Sequence, residues 1–146
     1  MAATRQEIQV TWSAATTKTL NTNTWVVSDE ITLNVDDWAA FINVRGDNQG
    51  TPASGDEVEL RLLPTTGDVD NGAGADDYPD VNTAGSTGSG VLLGVIDTYN
   101  RYDPDWVSRR IETAPKKCKL AARAKQGATR NIVIAARIAT IRGAIA

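Results

Sequence analysis

Histidine is absent from this 146-residue chain, and cysteine, methionine and phenylalanine occur once each. Without imidazole the chain lacks the commonest general base near neutral pH and the commonest metal ligand. No histidine is there to activate a serine or the cysteine as a nucleophile. The lone Cys118 excludes an internal disulfide and every multi-cysteine zinc site, and a disulfide-free chain points to synthesis and assembly in a cytoplasm. Lys116, Lys117 and Lys119 flank Cys118, and such ammonium groups can lower a thiol pKa; with no partner base nearby in the pattern, a small strand residue is the simpler reading. Long apolar runs are missing too. Residues 1–10 have no apolar segment of the signal-peptide kind. Residues 132–146 are the most apolar stretch, but Arg137 and Arg142 interrupt it and it is too short to span a bilayer. No membrane attachment is expected.

What is present is alternation. At 41% hydrophobic and 23% charged the composition is that of a folded chain, and the length suits one domain, residues 1–146. Val, Ile, Leu, Ala and four tryptophans must fill the core, a stiff set that favours strands. Ile8, Val10 and Trp12 alternate with polar residues; a short strand is expected near Leu20. Trp25–Val27, then Ile31, Leu33 and Val35, then Ala40, Ile42 and Val44 continue the period of two, with turn formers from Gly46 to Pro52. Val58, Leu60 and Leu62 oppose Glu57, Glu59 and Arg61 in the clearest strand. Residues 91–98 are apolar enough for a central strand, and further alternation runs over 106–111, 119–125 and 132–138. No capped helix with a 3.6-residue period is found. Seven to nine strands of this kind imply an all-β fold, an antiparallel, jelly-roll-like β-sandwich. Residues 1–6 read as a flexible N-terminal arm and 139–146 as a C-terminal tail open to an interface. Residues 64–90 form one long acidic loop with six glycines and five aspartates, and loops of that length tend to be functional.

Charge is distributed unevenly. Residues 1–105 hold 17 acidic and five basic side chains, a balance of −12, whereas residues 106–146 hold one acid and ten bases, a balance of +9. One reading places C-terminal strands beside N-terminal ones, so that opposite charges pair across the sheets. The other is a bipolar molecule that docks head to tail or lays a basic face on an acidic partner. Arg109, Arg110, Lys116, Lys117, Lys119, Arg123 and Lys125 would form that basic face, with Lys119, Arg123 and Lys125 on one side of a strand. The overall acidity, near pI 4.9, and the lack of aromatics among these bases argue against nucleic acid.

Other candidates are weaker. Asp68, Asp70, Asp76, Asp77 and Asp80 crowd the long loop, but Gly72 and Pro79 break the EF-hand spacing, so a solvated loop without metal is expected. Tyr99, Tyr102 and Trp106 among aspartates suit either stacking on sugar rings or closure of a sheet corner. A two-carboxylate glycosidase stays formally open, since spacing identifies no pair. The chain is expected to be no enzyme and to need no cofactor or small-molecule ligand.

The segments Val10-Thr11-Trp12-Ser13 and Val44-Arg45-Gly46-Asp47-Asn48-Gln49-Gly50-Thr51-Pro52-Ala53-Ser54-Gly55-Asp56 carry a resemblance. So do Ala75-Asp76-Asp77-Tyr78 and Ala124-Lys125-Gln126-Gly127-Ala128-Thr129-Arg130. Together they resemble the small virion structural proteins of tailed bacteriophages, over most of the chain. The resemblance implies an all-β protein that decorates or cements a capsid shell, binding the major capsid protein and copies of itself on a virion assembled in the bacterial cytoplasm. A tail or neck protein, or a carbohydrate-binding receptor module on the virion, is the alternative. In the cementing picture Ile138, Ile141 and Ile145 bury at an inter-subunit seam, and Asp76, Asp77 and Tyr78 on the long loop order against a neighbour.

Overall fold

The computed structural model describes residues 4–33, 37–65, 78, 90–99, 105–111, 117–125 and 131–142. Among these residues there are ten strands and no helix: β1 (Thr4–Gln9), β2 (Lys18–Leu20), β3 (Trp25–Val27), β4 (Ile31–Thr32), β5 (Asp37–Asn48), β6 (Glu57–Pro64), β7 (Val91–Asp97), β8 (Asp105–Ile111), β9 (Lys117–Lys125) and β10 (Ile132–Arg142). In the first sheet β1 and β2 both pair with β10, which is followed by β5 and β8. In the second, β3 and β4 both pair with β9, which is followed by β6 and β7. Every strand pairing is antiparallel. The first two lanes are each broken in two, so ten segments occupy eight lanes, where the alternation had suggested seven to nine strands. Successive lanes alternate between sheets except at β6–β7, the wrapping of a jelly-roll sandwich.

The break in the first lane has a defined chemistry. Trp12 and Ala15 exchange backbone hydrogen bonds of 2.8 and 3.1 Å around Ser13 and Ala14, whose φ values are 51° and 67°. Two left-handed residues make a tight primed turn usually given to Asn-Gly, and each costs on the order of 1 kcal/mol without glycine. Asp29 offsets this: its carboxylate accepts from the Ser13 and Ala14 amides, both at 3.0 Å, and from the Thr11 hydroxyl at 2.6 Å. The Thr11 bond first, then the amides, hold the Asp29 carboxyl below its usual pKa.

Between the sheets lies one continuous apolar core. Val10, Leu20, Ile42, Val44, Ile132, Ile134 and Ile138 meet Ile31, Val58, Leu60, Ile96, Cys118 and Leu120 across it. The alternation expected for β6 and β10 is observed, with Val58, Leu60 and Leu62 inward and Val133, Ala135 and Arg137 on the other side. Cys118 belongs to this core, and burial pushes its thiol up to about 12. The flanking lysines therefore do not make it a thiolate.

Several expectations need correction. Among the described residues Val91–Asp97 is not a central strand; β7 lies at a sheet edge, bonded there only to β6, and Val91, Leu92 and Val95 are 56%, 49% and 45% exposed. An apolar run does not by itself distinguish an edge from a centre. A register shift places Gly94 opposite Leu60 and Leu92 opposite Arg61, so Leu93 is an extra, bulged residue. Gly90 enters this strand at φ +87°, where a side chain would strike the Leu62 carbonyl oxygen. Gly46 does not begin a turn: β5 runs through it to Asn48, and the missing side chain lets Ile96 and Thr98 of the facing sheet pack against it. Residues 4–6 and 139–142 are not a free arm and tail, because Thr4–Gln6 pair with Thr140–Arg142 and satisfy each other's backbone groups. Of the long loop, residues 66–77 and 79–89 lie outside the described set.

Leu60→Ala removes a fully buried side chain and is expected to cost about 2–5 kcal/mol. Val95→Thr, on the exposed edge, is expected to change stability by no more than about 0.5 kcal/mol. Urea unfolding followed by tryptophan fluorescence separates the two; equal losses would contradict this placement of β6 and β7.

Candidate functional site

Each sheet turns one face outward, and the two outward faces differ. On the second sheet Lys117, Lys119, Arg123 and Lys125 share one side of β9, as their period of two implies, but all four are engaged. Glu59 stands at the centre. Arg123 Nη2 reaches Glu59 Oε2 at 2.7 Å, Arg61 reaches Oε1 at 2.9 Å, and Lys125 Nζ lies 3.4 Å from Glu59 and 3.1 Å from Glu57. The Arg123 guanidinium also lies over the Trp25 ring at 4.8 Å, with Arg61 at 5.9 Å. Tyr78 packs against Trp25, Leu63 and Ala121, takes Lys119 over its ring at 4.4 Å, and donates its hydroxyl to Glu30 at 2.6 Å. Lys117 Nζ is 3.4 Å from the same Glu30. Burial by itself would raise the Glu59 pKa; hydrogen bonds from Arg123 and Arg61, with the surrounding positive charge, outweigh it and hold the carboxyl below its usual value. This face is a staple of interlocked charges, in which C-terminal bases are matched to N-terminal acids.

The outward face of the first sheet is open. Gln9 at the end of β1, Asn43 and Arg45 on β5, and Ala135, Ala136 and Arg137 on β10 line a groove of about 450 Å³. Its origin is local: alanine at the middle of β10 leaves a trough between the longer side chains on either side. Gln9 is held in place, donating from Nε2 to the Ala136 carbonyl at 2.8 Å and accepting from Arg137 Nη2 at 3.3 Å. Arg137 Nη1 also meets Glu7 at 3.1 Å. The Arg45 guanidinium approaches Asp47 only to 3.8 Å, too far for a hydrogen bond. Cα register sets Trp106 opposite Arg45 and Ser108 opposite Asn43, so β8 borders the groove beyond β5. Amide and guanidinium groups over a small apolar floor can bind a ligand rich in oxygen acceptors.

Of the residues expected at a partner surface, Lys117, Lys119, Arg123, Lys125 and Tyr78 come together on the outward face of the second sheet. Arg123 is 4% exposed within the charge staple and Ile138 is 1% exposed in the core, so neither offers itself to a partner. Arg109 and Arg110 stand on β8 opposite Ile42 and Phe41, and Ile141 on β10 between Arg5 and Ala39. Lys116, Ile145, Asp76 and Asp77, like the rest of the aspartate cluster and Tyr102, lie outside the described residues. The groove residues Gln9, Asn43, Arg45 and Arg137 were visible only as polar positions in alternating strands. Nothing in their spacing said that β1, β10 and β5 are neighbours.

No protein-family model matches the chain, and no curated protein does. Solved structures do. One similar structure is the C-terminal carbohydrate-binding module CBM6 of LamC, a marine laminarinase from Zobellia galactanivorans; the TM-score is 0.51 at 11% identity, over 92% of this chain and 99% of that one. Another is the CBM22-1 xylan-binding domain of Xyn10C from Paenibacillus barcinonensis, with TM-score 0.45 at 12% identity over 97% of this chain and 87% of that one. The first likeness establishes the β-sandwich fold. Identity this low transfers no ligand and no site.

Glu59→Gln leaves the buried Arg123 facing a neutral amide and is expected to cost on the order of 3 kcal/mol at neutral pH. A carboxylate whose pKa is lowered on folding stabilises the fold above its unfolded pKa and ceases to do so as pH falls through the folded one. The difference between wild type and Glu59→Gln should therefore shrink below about pH 4. Chemical denaturation at a series of pH values checks this, and a gap that persists at low pH would contradict the charge staple.

Proposed function

We propose that this chain is a carbohydrate-binding module that lays a glycan along the groove of the first sheet and carries out no chemistry on it. The observation that carries the reading is the groove itself: Gln9, Asn43, Arg45 and Arg137 converge over Ala135 in about 450 Å³, a volume within the ~300–1,000 Å³ range of ligand clefts. Sugar hydroxyls both donate and accept, and side-chain amides match both halves of that pattern. A rigid two-sheet support holds such groups in place without loop ordering, which limits the entropy lost on binding. The likeness in fold to a carbohydrate-binding module supports the reading.

A second reading, favoured by the resemblance to phage virion proteins and by the exposed apolar edge of β7, is structural. Here the chain decorates or cements a capsid, or belongs to the tail or neck, with the major capsid protein and its own copies as partners. The two readings are compatible in a receptor-binding module displayed on a virion.

A polysaccharide array probed with the labelled protein tests the first reading. Retention on at least one glycan is expected, and Gln9→Ala with Arg137→Ala should weaken it by about tenfold or more. Absence of binding to every glycan would remove it. For the second reading, cryo-electron microscopy of particles locates the chain, with density on the capsid lattice supporting the cementing role and absence from the particle ending it.

A further inference from the structure

Charge in the groove narrows the ligand class, on the premise that the groove binds a glycan. Arg137 lies opposite Asn43, and Arg45 opposite Ala135. The two guanidinium groups thus spring from diagonal positions on β10 and β5, on either side of the alanine floor. Diagonal neighbours in an antiparallel pair start roughly 7–8 Å apart, within common reach of one bound group. Both side chains are about half exposed, 44% for Arg45 and 55% for Arg137.

Two acids share this face, Glu7 beside Arg137 and Asp47 beside Arg45. They do not close the groove. Exposed ion pairs hold weakly, and a guanidinium carries five N–H donors in a rigid fork. Arg45 makes only the 3.8 Å approach to Asp47 among the described residues, and Arg137 uses one edge on Glu7 and Gln9. Donors therefore remain for a further anion on both arginines. An anionic group seated above Ala135 would accept hydrogen bonds from the two guanidinium groups and relieve their mutual repulsion. A neutral sugar would relieve none of it.

We infer that the groove selects a glycan bearing an anionic group, a uronate carboxylate or a sulfate ester, and that Arg45 and Arg137 together read that group. Glu7 and Gln9 occupy the Nη1 and Nη2 groups on the β1 side of Arg137, so its remaining N–H donors are the ones that would meet this group together with Arg45.

Affinity electrophoresis or calorimetry tests this with polygalacturonate, a sulfated galactan and neutral laminarin and xylan, with polyglutamate as an anion that contains no sugar. The anionic glycans should bind at least about tenfold more tightly than the neutral ones. Arg45→Gln and Arg137→Gln should each erase that preference while leaving the thermal melting curve in place. Binding to only one of the two anionic glycans identifies the group and supports the inference. Neutral glycans bound as tightly as anionic ones, by wild type and variants alike, would overturn the inference and leave carbohydrate binding standing. Polyglutamate bound as tightly as the anionic glycans would overturn it as plain ion exchange. No glycan bound would overturn carbohydrate binding itself.

Discussion

The register between β10 and β5 governs nearly everything this molecule presents. From Ile132 to Ile141 the two strands pair without a slip, before a shift at Arg142. Side chains on a strand alternate faces, so that alignment sends Ile132, Ile134 and Ile138 into the core with Ile42 and Val44, and leaves Ala135 and Arg137 outside with Asn43 and Arg45. A displacement of β10 by one residue would turn Arg137 toward the core and Ile132, Ile134, Ala136 and Ile138 into water. Core and groove are the two sides of one alignment, and any change that shifts the register destroys both. Gly46 helps to keep it, since the space above its Cα is taken by Ile96 of the other sheet.

The second sheet solves a different problem. Its central strand β9 carries Lys117, Lys119, Arg123 and Lys125 on the outward face, a row of like charges along one strand. Left alone, that row would repel itself and favour unfolding or a polyanion. Glu30, Glu57 and Glu59 offset three of these charges in ion pairs with Lys117, Lys125 and Arg123, while the rings of Trp25 and Tyr78 lie against Arg123 and Lys119. Among the described residues of this face, C-terminal bases are in this way paired with N-terminal acids. The pairing is a consequence of C-terminal strands lying between N-terminal ones, and it leaves the open groove of the first sheet as the more accessible polar surface.

A shared jelly-roll frame accounts for the likeness to a carbohydrate-binding module without deciding the ligand. The frame supplies a stiff face; in the proposed reading, alanine at position 135 and the amides and guanidinium groups around it would supply the contacts. The same stiffness suits a particle surface, where a module is held by one face and binds with another. The exposed apolar edge of β7 and the polar groove belong to different sheets, so one does not preclude the use of the other.

Much of the fold was legible beforehand. The period of two in β1, β6 and β10 identifies strands and assigns their inward residues, because half-buried strands must alternate. The absence of histidine and of a second cysteine excludes whole classes of chemistry by composition alone. Adjacency was not legible. That Gln9, Asn43, Arg45 and Arg137 meet depends on strands more than 90 residues apart in the chain lying side by side. That Val91, Leu92 and Val95 sit at an edge depends on lane order, and that Ser13 and Ala14 tolerate a left-handed turn depends on Asp29 reaching back from the next lane. The chain alone determined which residues turn inward, since alternation is a local property of extended backbone. Only the tertiary structure decided which outward residues become neighbours, because long-range pairing is set by the packing of two complete sheets and leaves no trace in local spacing.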